Sequence, residues 1–533
     1  MMRMSGAVVV AVVAALAVVA PAAAETPRDT LVIATNLDSF TSLDPAALNE
    51  STPAQLVRNI CDPLIFLDYD DPAKVVPGLA ESWTISEDGL TWRFKLRAGL
   101  KHPSGNPVTA EDVAWSMRRT ARLNLANGAR LREWGFDADR IEDAVRPEGD
   151  LTLVLKLDKA YAPTLFPYAL TDIRVAAALD KVEVLKHEKN GDLGNAWLTI
   201  NTACYGPYRM RTWRANDMAI LDRNDGYWRG RPEMARVVVR HVPEPGAQRL
   251  LLEKGDIDLA QLLGAADISE LQKNPNVRVL NDPSFAAIYL SLSQKDPVLS
   301  HPKVREAFRY LIDYRGLEAS VMNNLAVVRQ SYVPFQAFGA LPSSEEPFHL
   351  DLDRAKRLLA EAGVPQGWSV DLATTAQYPF PEIGQHIQGN AGRIGVEIKL
   401  RQMSSAQVFT LTRARSYQLA LGGYGYNYPD ANNMTLRMAI NPDNRDDAKL
   451  TLLLAWRASW DVGDWFNRTA EAAQLERDPA RRIALYHELQ RRYMAEAPLI
   501  FLFQQLESRG MHRQLKELKA NGTQTFYATA RKS

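Results

Sequence analysis

The chain has 533 residues, 46% of them hydrophobic and 24% charged, so it can bury a large core and is not disordered by composition. Lys and Arg total 63, and so do Asp and Glu. That balance supplies no polyanion-binding surface, and nucleic acid is not an expected partner. At roughly 150 residues per domain the length suggests about three or four units.

Arg3 gives the N-terminus a short positive region, Ala7 to Ala20 an apolar run, and Ala22-Ala23-Ala24 a small-residue cleavage site. The run is shorter than the roughly 20 residues that cross a bilayer. Residues 1–24 therefore read as a signal peptide, with cleavage expected after Ala24 and a mature, exported chain from Glu25. No Cys stands at the cleavage site, which argues against a lipid anchor. Export makes the two cysteines, Cys61 and Cys204, relevant as a pair. An oxidising compartment permits a bridge if their Cα atoms come within roughly 7 Å, and two separate buried thiols are the alternative. Sequence leaves both open.

Leu31 to Thr35 reads as a buried first strand and Asn36 to Pro45 as the loop after it, with Asn36, Leu37 and Asp38 in turn-forming positions. A helix is expected from about Thr52 to Ile60, ended by Cys61-Asp62-Pro63, and Leu64 to Leu67 is the next strand. Trp83 and Ile85, then Leu90, Trp92, Phe94 and Leu96, alternate with the period-2 signature of half-buried strands around an Asp88-Gly89 turn. Thr109 reads as an N-cap with Asp112 three residues on, opening a helix through Val113 and Met117.

The wording of this region, PGLAESW, SEDGLTWRFKLRAGLK and NPVTAEDV in that order between Val76 and Arg119, resembles the signature of the family 5 extracytoplasmic solute-binding proteins. These are the dipeptide-, oligopeptide- and nickel-binding components of ABC importers. The resemblance continues in Cys204-Tyr205-Gly206-Pro207-Tyr208, where Cys stands at a position more usually Gly, and in Asn224 to Pro232 and Ala247 to Asp258. It implies an α/β, two-lobed periplasmic-binding-protein fold of the class II type, with lobes joined by crossing strands. One lobe would comprise residues 25–285 plus 502–533, with a subdomain inserted at about 62–185, and the other residues 286–501. Ligand would sit between lobes that close by hinge motion.

Beyond the crossing, Ala287 to Leu292 alternates as a strand, and Pro302 opens a helix whose Val304, Ala307, Phe308, Leu311 and Ile312 form a core stripe. Asp351 caps another helix, ended by Gly363. Trp368 to Thr374, Pro381 to Arg393 and Val396 to Leu400 follow as strand, helix and strand, which argues for a mixed α/β lobe. Asp478-Pro479 caps the last long helix, Leu499 to Phe503 is a buried strand, and Phe526 to Thr529 a last short one.

Catalytic motifs are absent. His487-Glu488 has Arg491 where H-E-x-x-H needs its second His, and neither a phosphate-binding G-x-x-x-x-G-K-[ST] loop nor a G-x-S-x-G elbow occurs. Eight His and two Cys have no metal-ligand spacing. No cofactor and no metal are expected, and the chain reads as a binding protein, not an enzyme. A concave cleft and a few placed polar atoms would suffice.

By the same resemblance the first loop lines the cleft, which makes Asn36 and Leu37 site candidates, and the bend at Cys204, Tyr205 and Gly206 presents backbone N–H groups. The most informative stretch is Gly422 to Asn433, GGYGYNYPDANN, where Tyr424, Tyr426 and Tyr428 alternate and are expected on one face. Peptide-binding members place an Asp shortly after the aromatic to pair with the ligand's α-ammonium; Asn427 stands there, with Asp430 three residues later. Dipeptide-type members carry an Arg in the loop that here reads Thr375-Ala376-Gln377-Tyr378. With both charged clamps missing, the expected ligand is a longer peptide held through its backbone or a less charged solute such as a modified peptide, opine or glycoside-like molecule. A nickel chelate is a weaker alternative, since no His lies in the tyrosine segment. The expected receptor is a periplasmic monomer that delivers its solute to an inner-membrane permease; the rival readings are a secreted hydrolase with an unrecognised active site and a chaperone-like or signalling protein.

Overall fold

A computed structural model describes residues 25–533 apart from 39, 41, 49, 50, 427 and 523. The signal-peptide segment and Asn427 lie outside the described residues. The molecule is built on two long strands, Val277–Leu292 and Leu499–His512, which pair antiparallel along their length. At one end they are flanked by Leu259–Ala260, then Thr30–Thr35, Arg236–His241, Met218–Arg223 and Tyr208–Arg214. At the other they meet Leu419–Gly425, Ser369–Thr375 and Glu397–Met403. One sheet thus runs through both lobes, but its apolar residues fall into separate cores. Leu31, Ile33, Val237, Leu259 and Met511 belong to one, and Leu290, Leu372, Leu419 and Leu502 to another.

The ladder of the two crossing strands breaks register between Pro283 and Ala287, and Pro283 removes a donor there. Through this stretch the two cores are joined by the backbone hydrogen bonds of the paired strands. Among the described residues no helix is long and apolar enough to cross a membrane.

A four-stranded antiparallel sheet, in the order Ala80–Ile85, Thr91–Leu96, Thr152–Lys156, Val145–Pro147, is set apart from the main sheet. Trp92, Phe94 and Leu96 are buried against Val113 and Met117 of the helix Ala110–Leu123. That helix starts where the sequence says: Thr109 Oγ1 accepts from Asp112 N (3.3 Å) while Asp112 Oδ2 accepts from Thr109 N (2.8 Å). Gly89 has φ +76°, the left-handed conformation its turn requires. Ile85, expected on the buried face, is exposed, because it ends an edge strand.

Cys61 and Cys204 form a disulfide, with Cα atoms 4.9 Å apart and a sequence separation of 143 residues. The small sheet and its helix fall wholly inside the closed loop.

Candidate functional site

The tyrosine segment starts as a strand, Leu419–Gly425, with Tyr424 opposite Ala287 and Gly422 opposite Tyr289 of the first crossing strand. Glycine is required at 422, since a Cβ there would lie 2.7 Å from the Tyr289 ring. The strand stops at Gly425; the Tyr424 and Tyr426 rings stay adjacent, with centroids 5.7 Å apart and planes tilted by 49°, while Tyr428 departs from them. Tyr426 turns into the second lobe, where its N–H donates to Phe285 O (2.7 Å) and its hydroxyl to Tyr332 O (3.1 Å). Tyr424 stays half-buried. Tyr428 turns the other way, its hydroxyl accepting from Asn432 Nδ2 (3.4 Å). Its ring stacks on Tyr168 at 5.9 Å and 5°, with Trp134 6.5 Å away, both residues of the region inside the disulfide loop.

Asp430 caps the helix Ala431–Met438, accepting from Asn432 N (2.8 Å), and its two oxygens take the Arg482 guanidinium at 2.7 and 2.8 Å. Both side chains are almost wholly buried. This carboxylate is committed to holding the segment in place. Further bonds join the same faces: Arg437 pairs with Glu133, Lys159 Nζ lies 3.1 Å from Glu471 Oε1, and Ala162 N donates to Gln474 O (3.1 Å). The tyrosine segment is therefore a seam across which the lobes touch.

On the opposite wall, the short helix Gly128–Arg132 carries Arg130, and Asp172 caps Ile173–Ala176. Asp172 receives Arg174 at 2.7 to 3.1 Å, with Arg58 and Arg130 at 3.8 and 3.9 Å. Burial alone would raise its pKa, but the arginines, Arg174 first, hold it well below the usual carboxylate range. Trp134, Tyr168, Arg130 and Arg437 were not foreseen as site residues; each lies in an ordinary amphipathic or loop context, and only the fold brings them to the seam.

The other expected site residues have partners within the first lobe. Asn36 Oδ1 accepts from Asp38 N (2.8 Å), and Leu37 N donates to His241 Nδ1 (3.0 Å). Cys204 has no thiol to offer, being bridged to Cys61. Tyr205 is buried, with its hydroxyl accepting from Trp228 N (3.1 Å), and a Cβ on Gly206 would meet Ile60 O at 2.2 Å. That close approach explains the glycine. Among the described residues no group of three or more His, Cys, Asp or Glu is placed to hold a metal.

Beneath this bend, Asp62 accepts from Trp228 Nε1 (2.8 Å) and from the Tyr227 hydroxyl (3.1 Å). Its burial dominates those donors and pushes its pKa up to about 7. An unfolded Asp titrates near 3.9, so between about pH 4 and 7 the folded chain holds a proton the unfolded chain lacks. Stability conferred by this group is therefore full at acid pH and falls as pH rises to 7, by at most about 1.4 kcal/mol per unit. Asp62→Asn keeps the neutral form at every pH. Its unfolding free energy should lack that component of the decline, measured as the wild-type minus variant difference from pH 4 to 8; a flat difference refutes the assignment.

Comparison with known proteins agrees with this architecture. Residues 74–446 match the family described as bacterial extracellular solute-binding proteins, family 5 Middle. The probable D,D-dipeptide-binding periplasmic protein DdpA of Escherichia coli (strain K12) is 26% identical over 501 residues, covering 92% of each chain. The glutathione-binding protein GsiB of Shigella flexneri is 27% identical over 372 residues, 69% of each chain. Among solved structures, the periplasmic binding protein DppA of Helicobacter pylori in complex with peptide STSA superposes with a TM-score of 0.78 at 24% identity, covering 94% of this chain and 98% of that one. With one sheet crossing between its cores and the family's model matching residues 74–446, the chain belongs to the family 5 bacterial extracellular solute-binding proteins.

Proposed function

We propose that this protein is the solute receptor of an ABC importer, exported to the periplasm with cleavage after Ala24 and acting as a monomer. It captures a peptide or a small peptide-like solute between its lobes, leaves it chemically unchanged, and delivers it to an inner-membrane permease. The observation that carries this reading is the stacking of Tyr428 of one lobe on Tyr168 of the other, at the end of a strand that also presents Tyr424. Closure over a ligand needs aromatic area and adaptable hydroxyls at such a seam. In this reading the lobes are residues 25–285 with 502–533 and residues 286–501, with 62–185 inserted. Tyr424, Asn427 and the backbone at Asn36 and Leu37 then contribute ligand contacts. The disulfide supports export, because such bridges persist in oxidising compartments.

The relatives named for peptides and for glutathione make these the first solutes to test. Purified mature protein is mixed with D-Ala-D-Ala, glutathione and a panel of tri- and tetrapeptides. A true ligand at a hundred times its Kd should stabilise the fold by about 2.7 kcal/mol and be recovered intact. Hydrolysis products in the recovered solute would instead establish the secreted hydrolase.

A further inference from the structure

At the end of the main sheet, Met218–Arg223 pairs with Tyr208–Arg214 on one side and Arg236–His241 on the other. Register fixes which side chains share a face. Asp222 lies opposite both Arg209 and Arg236, Ile220 opposite Thr212 and Val238, and Met218 opposite Arg214 and Arg240. The residues between them, Ala219, Leu221, Val237 and Val239, belong to the first lobe's core on the other side. The helices Pro245–Lys254 and Ala265–Leu271 cover the outer face as far as Val32 and Ala34. Val238, paired with Val32, and Ile220 and Met218 beyond it stay half-buried and join none of the apolar cores. Arg211 turns to this face as well, its Nη1 3.4 Å from Asp222, whose other oxygen lies 3.3 Å from Arg236 Nε. Arg214 pairs with Asp217 at 2.8 Å. Arg209 and Arg240 have no side-chain hydrogen bond or ion pair among the described residues.

Five arginines against two aspartates leave three positive charges in excess here, on a chain whose formal total is zero. Strand spacing puts Arg209 about 10 Å from Arg236 across the sheet, and Arg240 about 14 Å from Arg236 along it. Charges so far apart on a flat face do not converge on one phosphate or carboxylate; they match a surface whose own negative charges are spread out. Ile220 and Val238 form an apolar stripe between them, along which arginine stems can lie with their guanidinium groups outermost. From this charge complementarity we propose that the outer face of these three strands docks on an anionic phospholipid bilayer. Each unneutralised arginine at such a surface favours partitioning about fivefold, so an excess of three gives roughly a hundredfold preference over a neutral bilayer, reversible and weakened by salt. In strand order the crossing strands lie between this patch and the tyrosine strand, so the docked protein keeps its seam free.

The test sediments mature protein with phosphatidylcholine vesicles that contain or lack about one-third phosphatidylglycerol. Wild type should bind the anionic vesicles and not the neutral ones, and should be released as sodium chloride rises from about 50 to about 500 mM. The Arg209→Gln, Arg240→Gln variant should partition about twenty-five times more weakly, while Arg209→Lys, Arg240→Lys should bind within a fewfold of wild type, because the bilayer reads charge and not fork geometry. The Arg445→Gln, Arg468→Gln variant removes the same charge from exposed sites on the second lobe and should bind as wild type does. Unchanged circular dichroism and unfolding midpoints show that each variant is folded; should the glutamine pair fail that check, Ile220→Ser, Val238→Ser carries the comparison and should also bind more weakly. Failure of wild type to bind anionic vesicles at low salt, equal binding to neutral ones, or equal loss in both glutamine variants overturns the proposal. So does a wild-type dimer in sedimentation velocity that Arg209→Gln, Arg240→Gln abolishes, since the face would then pair two copies of the chain. None of these results bears on solute capture between the lobes.

Discussion

Replacing Arg482 by Met should destabilise the folded protein by about 3–5 kcal/mol, among the largest effects available to a single substitution here. Asp430 lies at the end of the seam with both oxygens on the Arg482 guanidinium, and neither side chain has meaningful exposure. Met fills a comparable volume but leaves a carboxylate in a site where water cannot replace the lost charge. Among the described residues only the Asn432 N–H still reaches it. Arg482 also donates Nε to Ala473 O (3.0 Å) and packs over the Phe338 ring at 4.7 Å, so its removal loosens the entire turn after Tyr428. The double variant Asp430→Asn, Arg482→Met tests the cause. Asn still caps the helix and carries no charge, so it should recover a good part of the loss. Chemical denaturation of the four proteins supplies the cycle; a single Met variant within about 1 kcal/mol of wild type would mean that the ion pair contributes nothing net, as some buried pairs do.

The same pair shows where sequence reading reaches its limit. Asp430 sits in a Y-P-D element beside the expected ligand contacts, so from sequence its carboxylate looks available. Its partner is 52 residues away on a helix of which the sequence shows the Asp478-Pro479 cap, and a charged residue on a helix's buried face carries no periodic signal. Local features translated well: the Thr109 and Asp112 box, the Asp351 and Asp478 caps and the Asp88-Gly89 turn all depend on neighbours a few residues apart. The crossing strands were read too short, as Ala287 to Leu292 and Leu499 to Phe503. The unread halves contain Arg278, Asn281 and Asp282 on one strand and Gln504, Gln505, Glu507 and Arg509 on the other. Polar residues interleave there with the few that reach a core, Val277, Phe285 and Met511, so the apolar alternation is too sparse to read and backbone pairing extends the strands. The site divides in the same way. Its tyrosine wall is one continuous segment, whereas Arg130, Trp134, Tyr168 and Asp172 come from short, irregular pieces that only the closed fold assembles.

The disulfide is the second place where a large effect is expected, and its position decides what kind. Cys61 follows the first helix of the chain, and Cys204 precedes the bend at Gly206, so the bridge fastens the polypeptide where it leaves the main sheet and where it returns. The groups that reach across from the inserted region to the tyrosine segment and its helix, Glu133, Trp134 and Tyr168, are carried by the chain between those two points. In the chain-entropy account, closing so long a loop in the unfolded state is worth about 4–5 kcal/mol, and losses of about 2–5 kcal/mol are usual when a native bridge is removed. The Cys61→Ala, Cys204→Ala variant should therefore unfold at lower denaturant by an amount in that range, and should no longer respond to reductant. Wild type treated with dithiothreitol should fall towards the same midpoint. Because the constraint also fixes the angle at which the Trp134 and Tyr168 wall meets Tyr428, ligand affinity should weaken along with stability, whereas a clasp acting on the unfolded chain alone would leave affinity unchanged at temperatures where the variant is folded. Identical unfolding midpoints for oxidised and reduced wild type would show that the surrounding packing of Ile60, Tyr205 and Tyr208 holds this junction without the bridge.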